Sequence, residues 1–350
     1  MAYRWLSGLL VLTLGWMGAV VADTGGATRM GMTTLPQPKA GVVTVFYPTQ
    51  QTEREQTVGP FHLSWARDAQ PMAGNGRLIV ISHGSGGSPW VHTDLARELV
   101  RRGFVVAVPQ HQGDNHQDPS QPGPVSWDLR PREISETIDA LATSPSFSPW
   151  LRTDAVGLVG GSAGGHTVLS LAGGQWSPQR FRDHCRQHIR QDFSSCVGML
   201  MLLKGNVWDD WKVWGALRVI DWRFDDSALR KAHDARIRVG VAMVPFAADF
   251  DLQTLTNPVF PLGLVRAGQD VNQVPKFHMD AVLGACLPRC TLLVDWPEAG
   301  HGLMLSPILA FPEGSVAKHL LADPAGFDRP RRMAQLNQEV ADFLTRHLGL

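Results

Sequence analysis

Neither sign of charge predominates in this chain of 350 residues: lysine plus arginine and aspartate plus glutamate each number 32, and charged residues make up only 18%. Without a single-sign field nothing gathers a polyanion from a distance, so no nucleic-acid partner is expected. Internal repeats and low-complexity tracts are absent as well. With 44% hydrophobic residues and a mean hydropathy of -0.08, the composition is that of a globular chain, neither disordered nor collagen-like. Cysteine is scarce at four residues, and a chain of this size buries a core without staples or metals. Beyond the N-terminus no apolar run is long enough to span a bilayer.

The N-terminus itself is the exception. One base, Arg4, precedes an apolar stretch from Trp5 to Val21, and Val20-Val21-Ala22 lead to the first acid, Asp23. A basic start, an apolar run and small residues at the boundary predict a signal peptide over residues 1–22, and hence export to the periplasm or the exterior. An uncleaved membrane anchor is the competing reading, because the stretch is nearly long enough to cross a bilayer. Cleavage removes one base and no acid, so the mature chain stays close to neutral.

Export makes disulfides the default, and the cysteines fall into two local pairs, predicted as Cys185–Cys196 and Cys286–Cys290. A zinc site is the alternative. However, CLPRC at 286–290 has no second CxxC or HxxxH at ligand spacing, and redox catalysis would need a CxxC at a helix start.

Runs rich in Val, Ile and Leu alternate with helix-length amphipathic segments, the pattern of a mostly parallel sheet with crossover helices. Strands are predicted at 42–47, 61–66, 77–82, 104–109, 155–160, 239–244, 262–267 and 291–296. Helices are predicted at 92–102, 131–143, 164–173, 275–285 and 328–347. Residues 175–236 break the rhythm with five of the twelve tryptophans and two of the four cysteines. A cap inserted into a single domain over 23–350 is the economical reading; sixty residues between two strands make a poor independent domain.

Three places carry chemistry. The first is Gly160-Gly161-Ser162-Ala163-Gly164, directly after an apolar strand and opening a small-residue helix. This Gly-x-Ser-x-Gly pattern in that context reads as a nucleophile elbow, a turn so tight that only glycines fit beside a strained serine. The amide of Ala163 would then face a reacting carbonyl oxygen. The rivals are a close-packed glycine turn and a phosphate loop; a Walker loop would need GK[ST], and a dinucleotide fingerprint would sit at the first strand. The second place is SHGSGG at 82–87, where this architecture builds the other half of an oxyanion hole, with Ser85 as the expected donor and His83 as a brace. The third is His301 in EAGHGLM after the last strand, preceded by Asp270 in AGQD after the strand before it. Serine, acid, histidine is the chain order expected here. Asp249 and Asp251, one strand earlier, are alternative acids.

Other features invite a functional reading. His111-Gln112-Gly113-Asp114-Asn115-His116 offers ligand types at a spacing that fits no standard metal cluster, and reads as an active-site wall or solvated loop. Arg130, Arg132 and Glu133 read as a helix-start region, with phosphate binding the alternative. Trp208, Trp211 and Trp214 fit one apolar helix face, suited to core packing or a substrate pocket; a lipid-facing lid would need that face exposed to water. No cofactor and no metal are expected.

SHGSGG, GFVVAVPQHQGDN at 103–115, RPREI at 130–134, DAVGLVGGSAGG, AGQD and AGHG recur in this order in secreted bacterial α/β-hydrolases. From about residue 40 onward the chain resembles the group called predicted dienelactone hydrolases, and through it the platelet-activating-factor acetylhydrolases. The resemblance implies an eight-stranded α/β-hydrolase sheet and a serine esterase acting through Ser162, Asp270 and His301. Dienelactone hydrolases themselves use a cysteine nucleophile, so the group's name does not carry over as the substrate. The expected function is hydrolysis of small or lipid-like carboxylic esters, with any membrane contact made through the cap. A catalytically silent relative that binds a ligand, and a peptidase or amidase, are the alternatives. Oligomeric state is not legible.

Overall fold

The computed structural model describes residues 28–37 and 41–350, and the signal segment expected at 1–22 lies outside the described residues. No helix among the described residues is long and apolar enough to cross a membrane. The chain opens with β1 (Arg29–Gln37), β2 (Gly41–Thr49), β3 (Arg54–Val58), β4 (Phe61–Arg67) and β5 (Arg77–Ser82). There follow α1 (Thr93–Arg101), β6 (Val105–Pro109), α2 (Val125–Thr143), β7 (Arg152–Gly161), α3 (Ala163–Leu171) and the short β8 (Gln175–Trp176). The expected cap contributes α4 (Pro178–His188), α5 (Phe193–Val197) and α6 (Asp209–Arg223). The chain then returns through β9 (Ile237–Met243), β10 (Phe250–Asp251), β11 (Leu262–Ala267), α7 (Met279–Cys286), β12 (Thr291–Trp296), α8 (Val316–Leu321) and α9 (Arg329–His347).

Ten strands form one sheet in the order β12-β11-β9-β7-β5-β6-β2-β1-β4-β3, while β8 and β10 pair separately. The six from β12 to β6 run parallel. From β6 onward the pairing is antiparallel except for β1 with β4. The parallel strands are the Val/Ile/Leu runs because both their faces are covered. Alternation sends Leu78, Val80, Val105, Ala107 and Leu158 to a core shared with α2 and α3. Ile79, Ile81, Val106, Val108 and Val159 go to the opposite core, against α1 and α9. This is the α/β-hydrolase architecture, with ten strands where eight were expected. The two additional strands lack the apolar run that marked the others. β1 (RMGMTTLPQ) is interrupted by Gly31, Thr33, Thr34 and Pro36, and β3 (REQTV) is the exposed edge of a hairpin.

Both cysteine pairs are disulfides, Cys185–Cys196 between α4 and α5 and Cys286–Cys290 after α7. Two helices differ from expectation. The helix predicted at 275–285 is a 3-10 turn at 275–277 followed by α7, broken where His278 leaves helical geometry at φ -120°, ψ -91°. The helix predicted from 131 begins at Val125, so Pro131 sits inside α2 and Arg130 is in the helix body, not at its start.

The tryptophans of the cap correct a further expectation. Trp176 is buried, but Trp208, Trp211, Trp214 and Trp222 are 56% to 83% exposed. One face of α6 does turn inward; at helical spacing it is the face of Val213, Ala216, Leu217 and Ile220, which leaves the tryptophans outward.

Candidate active site

Ser162 occupies the turn between β7 and α3 with φ 55° and ψ -119°, a left-handed conformation rare for any residue but glycine. The glycines around it are required by contact. A Cβ on Gly160 would lie 2.1 Å from the Gly164 carbonyl oxygen, and one on Gly164 would lie 1.9 Å from the Ser82 carbonyl oxygen. The elbow is thus pressed against the end of β5, which brings the 82–87 loop beside Ser162. A Cβ on Gly84 would lie 3.5 Å from the Ser162 Cβ.

His301 lies on a 3-10 turn after β12, fully buried, with Nδ1 2.6 Å from Asp270 Oδ2. Asp270 is held in turn by the amides of Asn272 (2.9 Å) and Gln273 (2.8 Å), which donate to its Oδ1. With Nδ1–H given to Asp270, the Nε2 of His301 keeps its lone pair, and it is buried without a partner. The alternative acids are engaged elsewhere. Asp249 lies 3.0 Å from His166 Nε2 on α3, whereas Asp251 caps the turn at 252–255 and pairs with Arg180.

Gln273 is a site residue that the sequence does not announce. Its Nε2 donates to Ser162 Oγ at 3.0 Å, while its Oε1 is buried without a partner. Because its own amide binds Asp270, this one residue joins the serine to the acid's turn. Nothing in the pattern AGQDVNQVP marks it; a side-chain amide three residues beyond an acid is an ordinary loop residue.

Behind the 82–87 loop lies a buried polar network, built from the 111–116 segment expected as an active-site wall or solvated loop and from the 130–133 segment expected as a helix start. Asp114 accepts from Ser85 Oγ (2.5 Å), the Gly86 amide (3.0 Å), Ser126 Oγ (2.7 Å) and Arg130 (2.8 Å). Arg130, wholly buried, also donates to the carbonyl oxygens of His83 (2.5 Å) and Gly84 (3.4 Å). These contacts engage both terminal nitrogens, Nε is buried without a partner, and the whole guanidinium is out of reach of a phosphate in solvent, while Arg132 faces outward toward Glu136. His111 bridges Ser82 Oγ (2.8 Å) and Glu133 (2.6 Å), and His83 Nδ1 donates to the Gly84 carbonyl at 2.8 Å, bracing the loop as expected.

Burial pushes His83 and His111 well below the ordinary histidine range, with Arg130 adding to the effect. Burial opposes charge on Asp114, but Arg130 and the hydroxyls of Ser85 and Ser126 outweigh it and hold the carboxyl below its usual range. Among the described residues, neither the Ser85 nor the Ala163 amide finds an acceptor, so both remain free to donate outward.

A cluster of His184, Asp192 and His278 has metal-like composition. Its hydrogen bonds argue against that role. The Ala247 amide donates to His278 Nδ1 at 2.9 Å, so Nε2 must carry the proton that it gives to Asp192 at 2.9 Å, and no lone pair is left for an ion. The cluster instead ties the cap to the site: Asp192 also accepts from the Val274 amide, and the single hydroxyl proton of Ser195 has Asp192 Oδ1 (2.8 Å) and the Asn272 carbonyl (2.9 Å) as alternative acceptors. Asp192 is correspondingly held far below the usual carboxylate range, burial being outweighed by His278, His184 and Ser195.

No protein-family model and no curated protein sequence matches this chain. Among solved structures it is similar to a ferulic acid esterase from Streptomyces cinnamoneus, at 15% identity and a TM-score of 0.56 over 93% of this chain and 91% of that one. That likeness, across nearly the whole length of both chains, shows the fold, and the chain has the α/β-hydrolase architecture.

Proposed function

We propose that the chain is an exported serine hydrolase that cleaves small or lipid-like carboxylic esters through an acyl-enzyme. The observation that carries this reading is the buried His301, oriented by Asp270 and with a free Nε2, in a site that Gln273 joins to a serine on a strained elbow. Ser162 Oγ attacks the ester carbonyl and its proton passes to His301 Nε2, while Asp270 stabilises the imidazolium. The amides of Ala163 and Ser85 donate to the oxyanion. His301 then returns the proton to the leaving alcohol, and water repeats the sequence to release the acid. The two disulfides accord with an oxidising compartment, and the solved esterase of the same fold accords with ester chemistry.

A fluorophosphonate probe tests the reading, because it labels only a serine activated by a neighbouring base. Stoichiometric labelling at Ser162, with turnover of short-chain aryl esters, is the expected result. An unlabelled protein would reassign the chain to a silent, ligand-binding relative.

Gln273 sets the rotamer of Ser162 Oγ in this scheme. Gln273→Leu is expected to lower kcat by up to about tenfold, the worth of one ordinary hydrogen bond, with little change in KM. An unchanged kcat in a variant of normal thermal stability would reduce Gln273 to a packing residue.

A further inference from the structure

The outward face of α6 is apolar where a solvated helix is polar. Trp211, Trp214, Val219 and Trp222 lie along it, and Trp208 adjoins its start. The segment before it extends the ridge with Leu200 and Val207, each 79% exposed. The inward face is already filled by Val213 and Ile220, so the helix has two apolar sides and only one of them is covered within the chain.

The chemistry of this ridge specifies its occupant. Four exposed indoles, each with an apolar body and a polar N–H, suit the headgroup level of a bilayer more than the dry centre of a protein interface. The charges agree in sign. Asp209, Asp210 and Asp221 are paired with Lys212, Arg190 and Arg186 respectively. Lys204, Arg218 and Arg223 have no carboxylate partner among the described residues, and of the acids between 199 and 225 only Asp225 lacks a cation. Arg218 lies over the Trp214 ring at 5.6 Å, within the apolar face itself. An excess of unpaired cations among tryptophans is complementary to an anionic lipid surface. The placement is also apt: the turn at 198–200 packs on α8, which packs on the turn carrying His301.

We propose that α6, with the 199–208 segment before it, docks on anionic bilayers. The near-zero net charge of the chain provides no long-range attraction, so this local patch supplies both the apolar and the electrostatic parts of binding.

Co-sedimentation of the full chain with phosphatidylglycerol vesicles and with phosphatidylcholine vesicles tests it, beside the double variant Trp211→Ser/Trp222→Ser. Both residues are exposed, and the N-terminal segment is the same in both proteins, so a difference in binding reports on α6 alone. Wild type is expected to bind the anionic vesicles at least about tenfold more strongly than the neutral ones and to weaken as salt rises, and the variant to lose at least about tenfold in bound fraction. Hydrolysis of a soluble short-chain ester is expected to be the same in both proteins. Because binding is read by sedimentation, its outcome is independent of whether the chain proves to be an esterase. Equal binding of variant and wild type, no preference for anionic vesicles, or a lipid-free wild-type dimer that the variant converts to monomer would each overturn the proposal, the last by giving the face to a second copy.

Discussion

Replacing Ser162 with alanine is expected to lower kcat for a short-chain ester by about 10⁵- to 10⁶-fold, leaving only what the oxyanion donors and substrate binding provide. On the proposed mechanism the loss is large because the serine, the histidine and the acid would act as a unit: without Oγ, the free Nε2 of His301 would have no proton to accept and no acyl-enzyme would form. Stability should fall by only about 1–2 kcal/mol, because the buried Nε2 of Gln273 loses its acceptor. Ser162 is held at φ 55° in a turn pressed on both sides by glycines, and alanine, with a Cβ of the same kind, meets the same backbone strain without a hydroxyl to place. Steady-state kinetics with thermal unfolding on the same preparation separates the two effects. Retention of more than one hundredth of wild-type kcat would remove Ser162 from the chemistry.

The second large effect falls on a residue that touches no substrate. Arg130→Met leaves Asp114 buried with its cation gone, and breaking such a buried pair by removing one partner typically destabilises by about 3–5 kcal/mol. Arg130 also holds the carbonyl oxygens of His83 and Gly84, so the loop bearing the Ser85 amide should lose its set position and kcat should fall with stability. The double variant Arg130→Met/Asp114→Asn distinguishes a charge effect from a packing one. If the unpaired carboxylate is the cause, neutralising it restores part of the lost thermal stability. If the double variant is no more stable than Arg130→Met, the guanidinium contributes by filling space and by its carbonyl contacts alone.

These two residues mark the limits of what could be read in advance. Ser162 was legible because its chemistry is local: two glycines, a preceding apolar run and a following small-residue helix all lie within about a dozen positions. The order of Asp270 and His301 after successive strands followed from the alternating pattern, and the structure brings the two within 2.6 Å of each other. Arg130 and Asp114 were visible as residues but not as a pair, because their contact closes only when the loop after β6 folds back over α2. Pro131 was misleading in the same place. It resembled a helix start, yet α2 accommodates it in its interior. Gln273 bears no local signal at all, since its role lies in an atom-to-atom contact with a residue more than a hundred positions away.

The edge strands show the same division. β5 and β6 announce themselves as Leu-Ile-Val-Ile and Val-Val-Ala-Val because the sheet interior demands it, whereas β3 needs only backbone hydrogen bonds to β4 and keeps the polar sequence of a surface segment. For α6 the spacing of the tryptophans was readable but the direction of the face was not. A helical repeat fixes which residues share a side, and only the competing claim of Val213 and Ile220 decides which side turns inward.

The Asp192 cluster divides the cap mechanically. The segment up to Cys196 is made one piece by the Cys185–Cys196 disulfide between α4 and α5, and it is riveted to the body by a buried carboxylate that grips His278 and the Val274 amide. Swinging α4 and α5 away from the sheet would strip that carboxylate of its donors in a place where water does not reach, and would drag the 270–274 turn, and with it the partner of His301, out of register. Residues 199–224 carry no such rivet: α6 packs its Val213 and Ile220 face on the apolar cluster below it and is otherwise held to α4 and its C-terminal end by surface ion pairs at Arg186 and Arg190, which salt weakens. The cap is therefore stiffer in α4 and α5 than in α6, and the tryptophan ridge reaches the turn carrying His301 only at second hand, through the 198–200 turn and α8.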